Sequence, residues 1–66
     1  MFQYDRLWKL LDEKGIKRSH LTYKYGLNPT IVANMGKNKN VSLKTIGWLC
    51  SLLDCRVEDI IEYVED

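Results

Sequence analysis

Few side chains in this 66-residue chain could take part in covalent or metal chemistry. There is one histidine, His20, and there are two cysteines, Cys50 and Cys55. Two thiols and one imidazole do not complete a four-ligand zinc site, and no acidic residue near His20 in sequence could orient it as a base. We therefore predict no catalytic residue, no metal and no cofactor, and a protein that is not an enzyme. A disulfide is the alternative to our expectation that both cysteines are small buried apolar residues.

The remaining chemistry is electrostatic, and it lies in the middle of the chain. The formal net charge is only +1, but the segment from Lys14 to Leu53 contains no Asp or Glu. The cations of this acid-free segment are Lys14, Lys17, Arg18, Lys24, Lys37, Lys39 and Lys44. The acids gather after it, at Asp54, Glu58, Asp59, Glu62, Glu65 and Asp66. Basic clustering of this kind favours polyanion binding, and a solvated lysine-rich surface is the alternative.

The stretch Arg18–Lys39 predicts two short helices joined at a glycine. Gly26 ends the first helix, which we place at about 18–25, because a sharp turn between packed helices requires positive φ or a close backbone approach. Asn28 can accept a hydrogen bond from the free N–H groups of the second helix, and Pro29 suits its first position. The second helix is therefore predicted to run from Pro29 to about Met35.

Three further segments have the apolar periodicity of amphipathic helices. They are Tyr4–Lys14, Leu43–Leu53 and Val57–Val64. Together with the central pair they predict an all-α fold, a compact five-helix bundle, and no strand or hairpin signal competes with it. Gly15 is expected to end the first helix, Ser42 to cap the fourth, and Asp54 to take a left-handed turn after it.

The buried faces of the last two helices follow from the same periodicity. The predicted core face of the fourth helix consists of Leu43, Ile46, Leu49, Cys50 and Leu53. Trp48 and Leu52 form a second stripe beside it. The fifth helix is expected to bury Val57, Ile60 and Val64.

The apolar residues around Gly26 have the spacing of a helix-turn-helix. Leu21 lies five residues before it, Val32 six after and Met35 nine after. At these spacings two helices crossing at about 90–120° share one small core. The pattern resembles the phage-repressor/Cro-like (XRE-type) family of bacterial and phage DNA-binding domains, especially its small free-standing members. The resemblance covers nearly the whole chain and implies a helix-turn-helix at about 18–36.

The resemblance also implies which side chains face DNA. The base-contacting side would consist of Asn28, Thr30, Ala33, Asn34 and Lys37. An Asn amide can pair with adenine, a Thr methyl or Ala can contact a thymine methyl, and Lys can reach guanine. The alternatives are that Asn28 is a helix cap, Ala33 a helix former and Lys37 a phosphate ligand. Phosphate contacts are expected from Arg18, Ser19, Lys24, Lys39 and Lys44, and His20 is expected to be exposed and to lean on a phosphate.

Two departures from the family pattern bear on the end of the third helix. Many members pair an Arg at the position of Leu11 with a Glu at the position of Gly36, and this chain has neither. We therefore expect the third helix to end early, with Gly36 or Asn38 in the left-handed conformation, and the Lys37–Asn40 loop to be reshaped.

Trp48 is the residue with the least obvious place in the core. A large exposed aromatic side chain marks a contact surface. We expect a two-fold homodimer interface formed by Trp48, Leu52, Ile61 and Tyr63. The alternative is that Trp48 packs onto its own chain.

Together these patterns predict a sequence-specific regulator of transcription that binds double-stranded DNA, and specifically a repressor. The alternative is a protein-interaction or antitoxin-like module with the same fold. We expect a single domain over residues 1–66, a cytoplasmic location, no contact with a membrane and no small-molecule effector.

Overall fold

The computed structural model describes residues 1–65, which form four α-helices, one 3-10 turn and a two-stranded sheet. In chain order the elements are β1 (Phe2–Gln3), α1 (Asp5–Glu13), α2 (Arg18–Tyr23), α3 (Pro29–Gly36), α4 (Leu43–Leu53), the 3-10 turn (Val57–Asp59) and β2 (Glu62–Tyr63). The first four predicted helices are confirmed to within two residues at each end. The fold is mostly helical, as predicted.

The predicted fifth helix, Val57–Val64, is wrong. Its first residues make a single 3-10 turn, and β2 then pairs antiparallel with β1, so that Phe2 lies opposite Tyr63. The backbone N–H of Val64 also donates to the carbonyl oxygen of Met1 over 2.8 Å. Ile60 is buried as predicted, but Val57 is 47% exposed and Val64 is half-buried. Isolated short helices are marginal in water, and the β-branched and aromatic residues of this segment suit a strand once a partner is present.

The N-terminal caps of α3 and α4 form as the sequence predicts. Oδ1 of Asn28 accepts from the Thr30 backbone N–H over 2.8 Å, and Pro29 takes the first helical position. Oγ of Ser42 accepts from the Thr45 backbone N–H over 3.2 Å. Each bond satisfies a donor that the helix itself leaves free.

Four residues with positive φ mark the turns between the helices. They are Gly15 (φ 70°), Gly26 (φ 83°), Asn38 (φ 56°) and Asp54 (φ 50°). Asn38, not Gly36, takes the left-handed position after α3, and Gly36 is the last residue of that helix. Asn and Asp are the non-glycine residues that tolerate this conformation best.

Each helix contributes at least one fully buried side chain to a single core. Those with essentially no exposure are Leu7, Leu11, Leu21, Met35, Leu49, Leu53 and Ile60. The prediction that Leu43 belongs to this core is wrong, because Leu43 is 82% exposed. Ile46, Leu49 and Leu53 define the inward stripe of α4, and Leu43 lies about a quarter turn from its centre at about 100° per residue.

The two cysteines lie at the end of α4 and both are half-buried free thiols packed against the core. The backbone N–H of Cys55 donates to the carbonyl oxygen of Cys50 over 3.0 Å. Burial raises the pKa of the Cys55 thiol to about 11, and the neighbouring Cys50 thiol adds to the rise through charge and a hydrogen bond. The Cys55 thiol is therefore neutral at physiological pH, where it packs as a small apolar group.

The Lys37–Asn40 loop is attached to the start of α1 by Tyr4, which is buried. The Tyr4 hydroxyl donates to the carbonyl oxygen of Lys39 over 2.8 Å, and the Tyr4 backbone N–H donates to Oδ1 of Asn38 over 3.4 Å. Burial raises the pKa of Tyr4 above its ordinary value, and a backbone hydrogen bond at Val41 partly opposes the rise. The loop that follows α3 is thus positioned by a residue near the N-terminus, about 35 residues away in sequence.

The two glycines at 26 and 47 should respond to alanine in opposite ways. A Cβ at either position would meet nothing within 4 Å, so only backbone conformation distinguishes them. Gly26→Ala should lower the free energy of unfolding by roughly 1 kcal/mol, because φ is positive there. Gly47→Ala, on the exposed side of α4, should raise it by roughly 0.5–1 kcal/mol through helix propensity. Urea unfolding of the two variants measures both, and equal signs would contradict the assignment of the turn.

Tyr4→Phe should lower the free energy of unfolding by about 1 kcal/mol at pH 7, because the bond to the Lys39 carbonyl is lost. The pKa of Tyr4 is raised in the folded state. The stability that the protonated hydroxyl contributes is therefore fully present below pH 10 and is lost as the pH rises through the raised pKa. The stability difference between wild type and Tyr4→Phe should therefore shrink above pH 10. Urea unfolding at pH 7 and above pH 10 tests this, with Tyr63→Phe, on an exposed ring, as the control. A difference that grows with pH would contradict it.

Candidate nucleic-acid interface

The outer face of α3 presents small and polar side chains. Thr30, Ala33 and Lys37 are exposed and recur at three- and four-residue spacing, which places them along one side of the helix. The opposite side carries Met35, which is completely buried. The predicted base-contacting residues Thr30, Ala33 and Lys37 therefore lie together on a free surface.

The two predicted asparagines differ from this group. Asn28 is exposed, but its Oδ1 already accepts from the Thr30 backbone N–H, so its role as a helix cap is confirmed. A bidentate pair with adenine requires both the oxygen and the NH2 group of the amide, and one acceptor position of Asn28 is already used. Asn34 is half-buried at the edge of the exposed side, so only part of its side chain is accessible.

Arg18, a predicted phosphate ligand, is held by an aromatic ring. Its guanidinium carbon lies 3.7 Å from the centre of the Trp8 ring in α1. A Cβ at Gly36 would lie 3.4 Å from the same guanidinium, so Arg18 also reaches the end of α3. A cation on an aromatic face is oriented without being neutralised. The sequence does not indicate the contact between Trp8 and Arg18, because nothing local links residues ten apart across a turn.

The other predicted phosphate ligands are all exposed. Nζ of Lys24 lies 5.7 Å from the ring centre of Tyr25, and the backbone of Lys39 is fixed by Tyr4 while its side chain is exposed. Ser19 and Lys44 are exposed at the starts of α2 and α4. In sequence these positions lie in or directly after α2, at the start of α4 and in the loop between α3 and α4.

The cations of the acid-free segment have no ion-pair partner within residues 1–65. The ion pairs between described side chains, Arg6–Glu62 and Arg56–Glu58, lie outside that segment. In the first pair, NH2 of Arg6 lies 3.4 Å from Oε2 of Glu62, and both side chains are about half exposed. The acids after the helix-turn-helix are thus partly matched by Arg6 of α1 and by Arg56, while the basic segment keeps its charge.

The prediction that His20 is exposed is wrong, whereas a contact between its ring and a phosphate stays a prediction. His20 is half-buried, and its Nδ1 accepts from the Lys17 backbone N–H over 3.1 Å. Its ring also meets the Tyr23 ring edge-on, with centroids 5.5 Å apart. The side chain of Lys17 has no acceptor atom that could cap α2. Instead the side chain of His20, the third residue of the helix, accepts a hydrogen bond from the Lys17 backbone N–H. His20 is a structural residue of the α2 start.

The four side chains predicted for a dimer interface fall in two places. Trp48 and Leu52 are half-buried and packed against the core, so the expectation that Trp48 is a large exposed aromatic is wrong. Trp48 instead borders a depression shared with Tyr25 and Leu27. Ile61 is half-buried and Tyr63 is 62% exposed, and the Tyr63 ring meets the Phe2 ring with centroids 5.2 Å apart.

Ile61 belongs to an apolar groove that the sequence did not indicate. This apolar groove has a volume of about 260 Å³ and is lined by Phe2, Tyr4, Asn40, Val41, Leu43, Ile46 and Ile61. The exposed Leu43 stands at its edge. The groove and Trp48 lie on different flanks of α4, because Leu43, which lines the groove, and Trp48 differ by about 140° around the helix.

Within the described residues, no helix combines the length and the apolar composition that crossing a membrane requires. No set of three or more potential metal-ligating side chains was found in the same part of the chain.

Comparison with known proteins identifies the family. The profile of the Cro/C1-type HTH DNA-binding domain matches residues 6–66. The crystal structure of the transcriptional regulator VanUg, form II, is similar with a TM-score of 0.91 and 37% sequence identity, and the match covers 98% of this chain and 87% of that one. No curated protein sequence matches the chain significantly. The exposed face of α3, the turn at Gly26 and these two matches agree: the chain belongs to the family of Cro/C1-type helix-turn-helix DNA-binding domains.

Proposed function

We propose that the protein is a sequence-specific transcriptional regulator that acts as a repressor, with α3 inserted in the major groove of double-stranded DNA. The observation that carries this proposal is the exposed stripe of Thr30, Ala33 and Lys37 on a helix whose opposite side is buried. The similar solved structure is that of a transcriptional regulator, which supports the same role. Occupation of DNA by a small domain blocks other proteins from the same site, and this is the simplest route to repression.

The base contacts follow from the chemistry of each exposed side chain. Lys37 can donate to guanine, while Thr30 and Ala33 present methyl groups that suit a thymine methyl. Asn28 and Asn34 contribute through the amide atoms that the helix leaves free. Each good contact discriminates against the wrong base by roughly 1–3 kcal/mol.

The phosphate contacts would determine most of the affinity. We assign them to Arg18, Ser19, Lys24, Lys39 and Lys44, which are all exposed. Each neutralised phosphate releases counterions, so the affinity should fall steeply as salt increases. The absence of carboxylate partners for these cations within residues 1–65 leaves them available for phosphates.

Lys37→Glu should abolish most DNA binding. The change removes a cation from the C-terminal end of the exposed α3 stripe and places a carboxylate near phosphates, so affinity for duplex DNA should fall at least roughly tenfold, with a shallower salt dependence. Fluorescence anisotropy with labelled random duplex at low and moderate salt measures both quantities. Lys9→Glu is the matched control, because it makes the same charge change on the exposed side of α1.

Two results would contradict the DNA-binding proposal. One is an absence of binding by the wild-type protein at micromolar concentration in low salt. The other is an equal loss of affinity in Lys9→Glu and Lys37→Glu, which would reflect net charge alone. Either result would favour the protein-interaction alternative.

We infer that two copies form a two-fold dimer through the apolar groove. Leu43 protrudes beside the groove of its own chain, so a two-fold axis can bring the Leu43 of each copy into the groove of the other. Phe2 and Tyr63, which contact each other, extend the exposed apolar surface around it. Ile61 and Tyr63 keep the role proposed from sequence, whereas Trp48 and Leu52 lie on the other flank of α4.

A dimer would explain how such a small helix achieves specificity. One α3 reads only a few base pairs, and a two-fold pair presents two such helices to half-sites about one helical turn, ~34 Å, apart. The groove side of α4 carries no acidic residue before Asp54, so close approach of two copies there does not add carboxylate repulsion.

Leu43→Glu should convert the dimer to a monomer, because it places an unpaired charge in an apolar contact. Sedimentation equilibrium over a range of protein concentrations measures the mass. Tyr23→Glu is the matched control, since Tyr23 is a similarly exposed residue of α2 and the change in charge is identical. A wild-type protein that stays monomeric at high concentration, or equal effects of both substitutions, would contradict the inferred interface.

A further inference from the structure

The two cysteines of the chain meet at the turn that ends α4. Asp54 takes the left-handed conformation there, with φ 50° and ψ 56°. The carbonyl oxygen of Cys50 accepts from the backbone N–H of Asp54, and it also accepts from the backbone N–H of Cys55 over 3.0 Å. In helix ends of this type, the side chains at the positions of Cys50 and Cys55 commonly contact each other. The turn therefore places one thiol beside the other.

The two thiols are in different states although they are neighbours. Both are free and half-buried, so a small molecule can reach them. Burial is the largest cause that raises the pKa of Cys55 to about 11, followed by the charge of Cys50 and a hydrogen bond to it. Asp59 adds to the rise and Lys14 opposes it. Cys55 therefore keeps its proton, which leaves Cys50 as the attacking thiol of the pair.

A pair of thiols in contact can undergo two-electron oxidation to a disulfide. Within residues 1–65 no third potential ligand joins the two sulfur atoms, so they do not form part of a zinc site. We propose that Cys50 and Cys55 form a redox-active dithiol site, which a peroxide converts to an intramolecular disulfide at the end of α4.

The oxidation proceeds in two steps. The Cys50 thiolate attacks one oxygen of the peroxide, so that an S–O bond forms, the O–O bond breaks, and the departing hydroxide takes up the proton that Cys50 has lost. The Cys55 sulfur then attacks the sulfur of the resulting sulfenic acid. The S–S bond forms, the S–O bond breaks, and the second hydroxide leaves as water with the proton of Cys55. With hydrogen peroxide, two thiols are oxidised to one disulfide and the peroxide is reduced to two molecules of water.

This chemistry does not depend on DNA binding. Both thiols lie at the C-terminal end of α4, whereas the proposed base contacts lie on α3. The disulfide would join α4 covalently to the segment that leads to β2. It would therefore fix the turn at Asp54 and leave the exposed stripe of α3 unmodified.

Mass spectrometry of the reduced full chain, treated with stoichiometric hydrogen peroxide, tests the site. Trypsin cleaves after Lys44 and Arg56, so both cysteines fall in one peptide, Thr45–Arg56. That peptide should lose two hydrogen atoms, and iodoacetamide should no longer label either thiol. The denatured protein should keep the mass of one chain, and dithiothreitol should restore both thiols. Oxygen added to the cysteines, or a disulfide between two chains, in place of the internal disulfide would overturn the proposal.

Serine substitutions separate the roles of the two thiols. Cys55→Ser should accumulate a sulfenic acid at Cys50, which dimedone labels, because no second thiol attacks it. In Cys50→Ser the burial of Cys55 remains, so its reaction with peroxide should be at least roughly tenfold slower than that of Cys55→Ser. Equal rates would overturn the assignment of Cys50 as the attacking thiol. The wild-type measurement needs no variant, so it stays decisive even if a serine variant does not fold.

A disulfide that fits the folded turn should also stabilise the protein. The oxidised protein should unfold at a higher urea concentration than the reduced protein, because the new bond removes conformational freedom from the unfolded chain. Cys55→Ser, treated in the same way, is the matched control, since it cannot form the bond and its midpoint should not rise. A lower midpoint for the oxidised wild type would show that the turn distorts to close the bond, which would overturn the placement of the two thiols for it.

Discussion

Two helices of six and eight residues cannot be stable in water by themselves, and this constraint governs the whole fold. Isolated helices below about 12–15 residues are marginal even with favourable sequences. α2 and α3 therefore depend on burying Leu21 and Met35 in the core that Leu7, Leu11 and Leu49 complete. The position of the proposed DNA-reading surface is consequently a property of the core, since α3 has no stable conformation apart from it.

The same constraint leaves the outer faces of α2 and α3 free for electrostatics. The structure orders polar side chains there without a carboxylate: Arg18 is stacked on Trp8, and His20 accepts from the backbone of Lys17. A carboxylate beside Arg18 would cancel charge that a polyanion could use. Because the partners of Arg18 and His20 are an aromatic ring and a backbone N–H, these side chains are ordered without adding an acid to the surface.

The C-terminal part of the chain is acidic and is held in place by polar contacts and strand pairing. Six of the nine acids lie from Asp54 onward, and this part of the chain is ordered by contacts with α1 and β1. Arg6 donates to the Glu58 carbonyl oxygen over 2.9 Å and pairs with Glu62, while β2 pairs with β1. This arrangement brings Phe2, Tyr63 and Leu43 to one exposed apolar region. An exposed apolar region of this kind supports the proposed two-fold contact between copies.

Sequence alone determined the features that depend on neighbouring residues. Helix limits, the Asn28 and Ser42 caps, the turns at Gly26 and Asp54, and the burial of Leu21 and Met35 all follow from local chemistry and helical period. The exposed stripe of α3 was predictable for the same reason. The same local features carry the resemblance to the Cro/C1-type family.

Only the tertiary structure decided the features that require distant residues to meet. The pairing of Phe2 with Tyr63 turned a predicted helix into a strand, because strand formation depends on a partner some sixty residues away. The same holds for Trp8 beneath Arg18 and for Tyr4 holding the Lys37–Asn40 loop. Leu43 was expected to be buried and is exposed, whereas Trp48 was expected to be exposed and is half-buried. Periodicity identifies the apolar side of α4 but not which edge of that side the other elements cover.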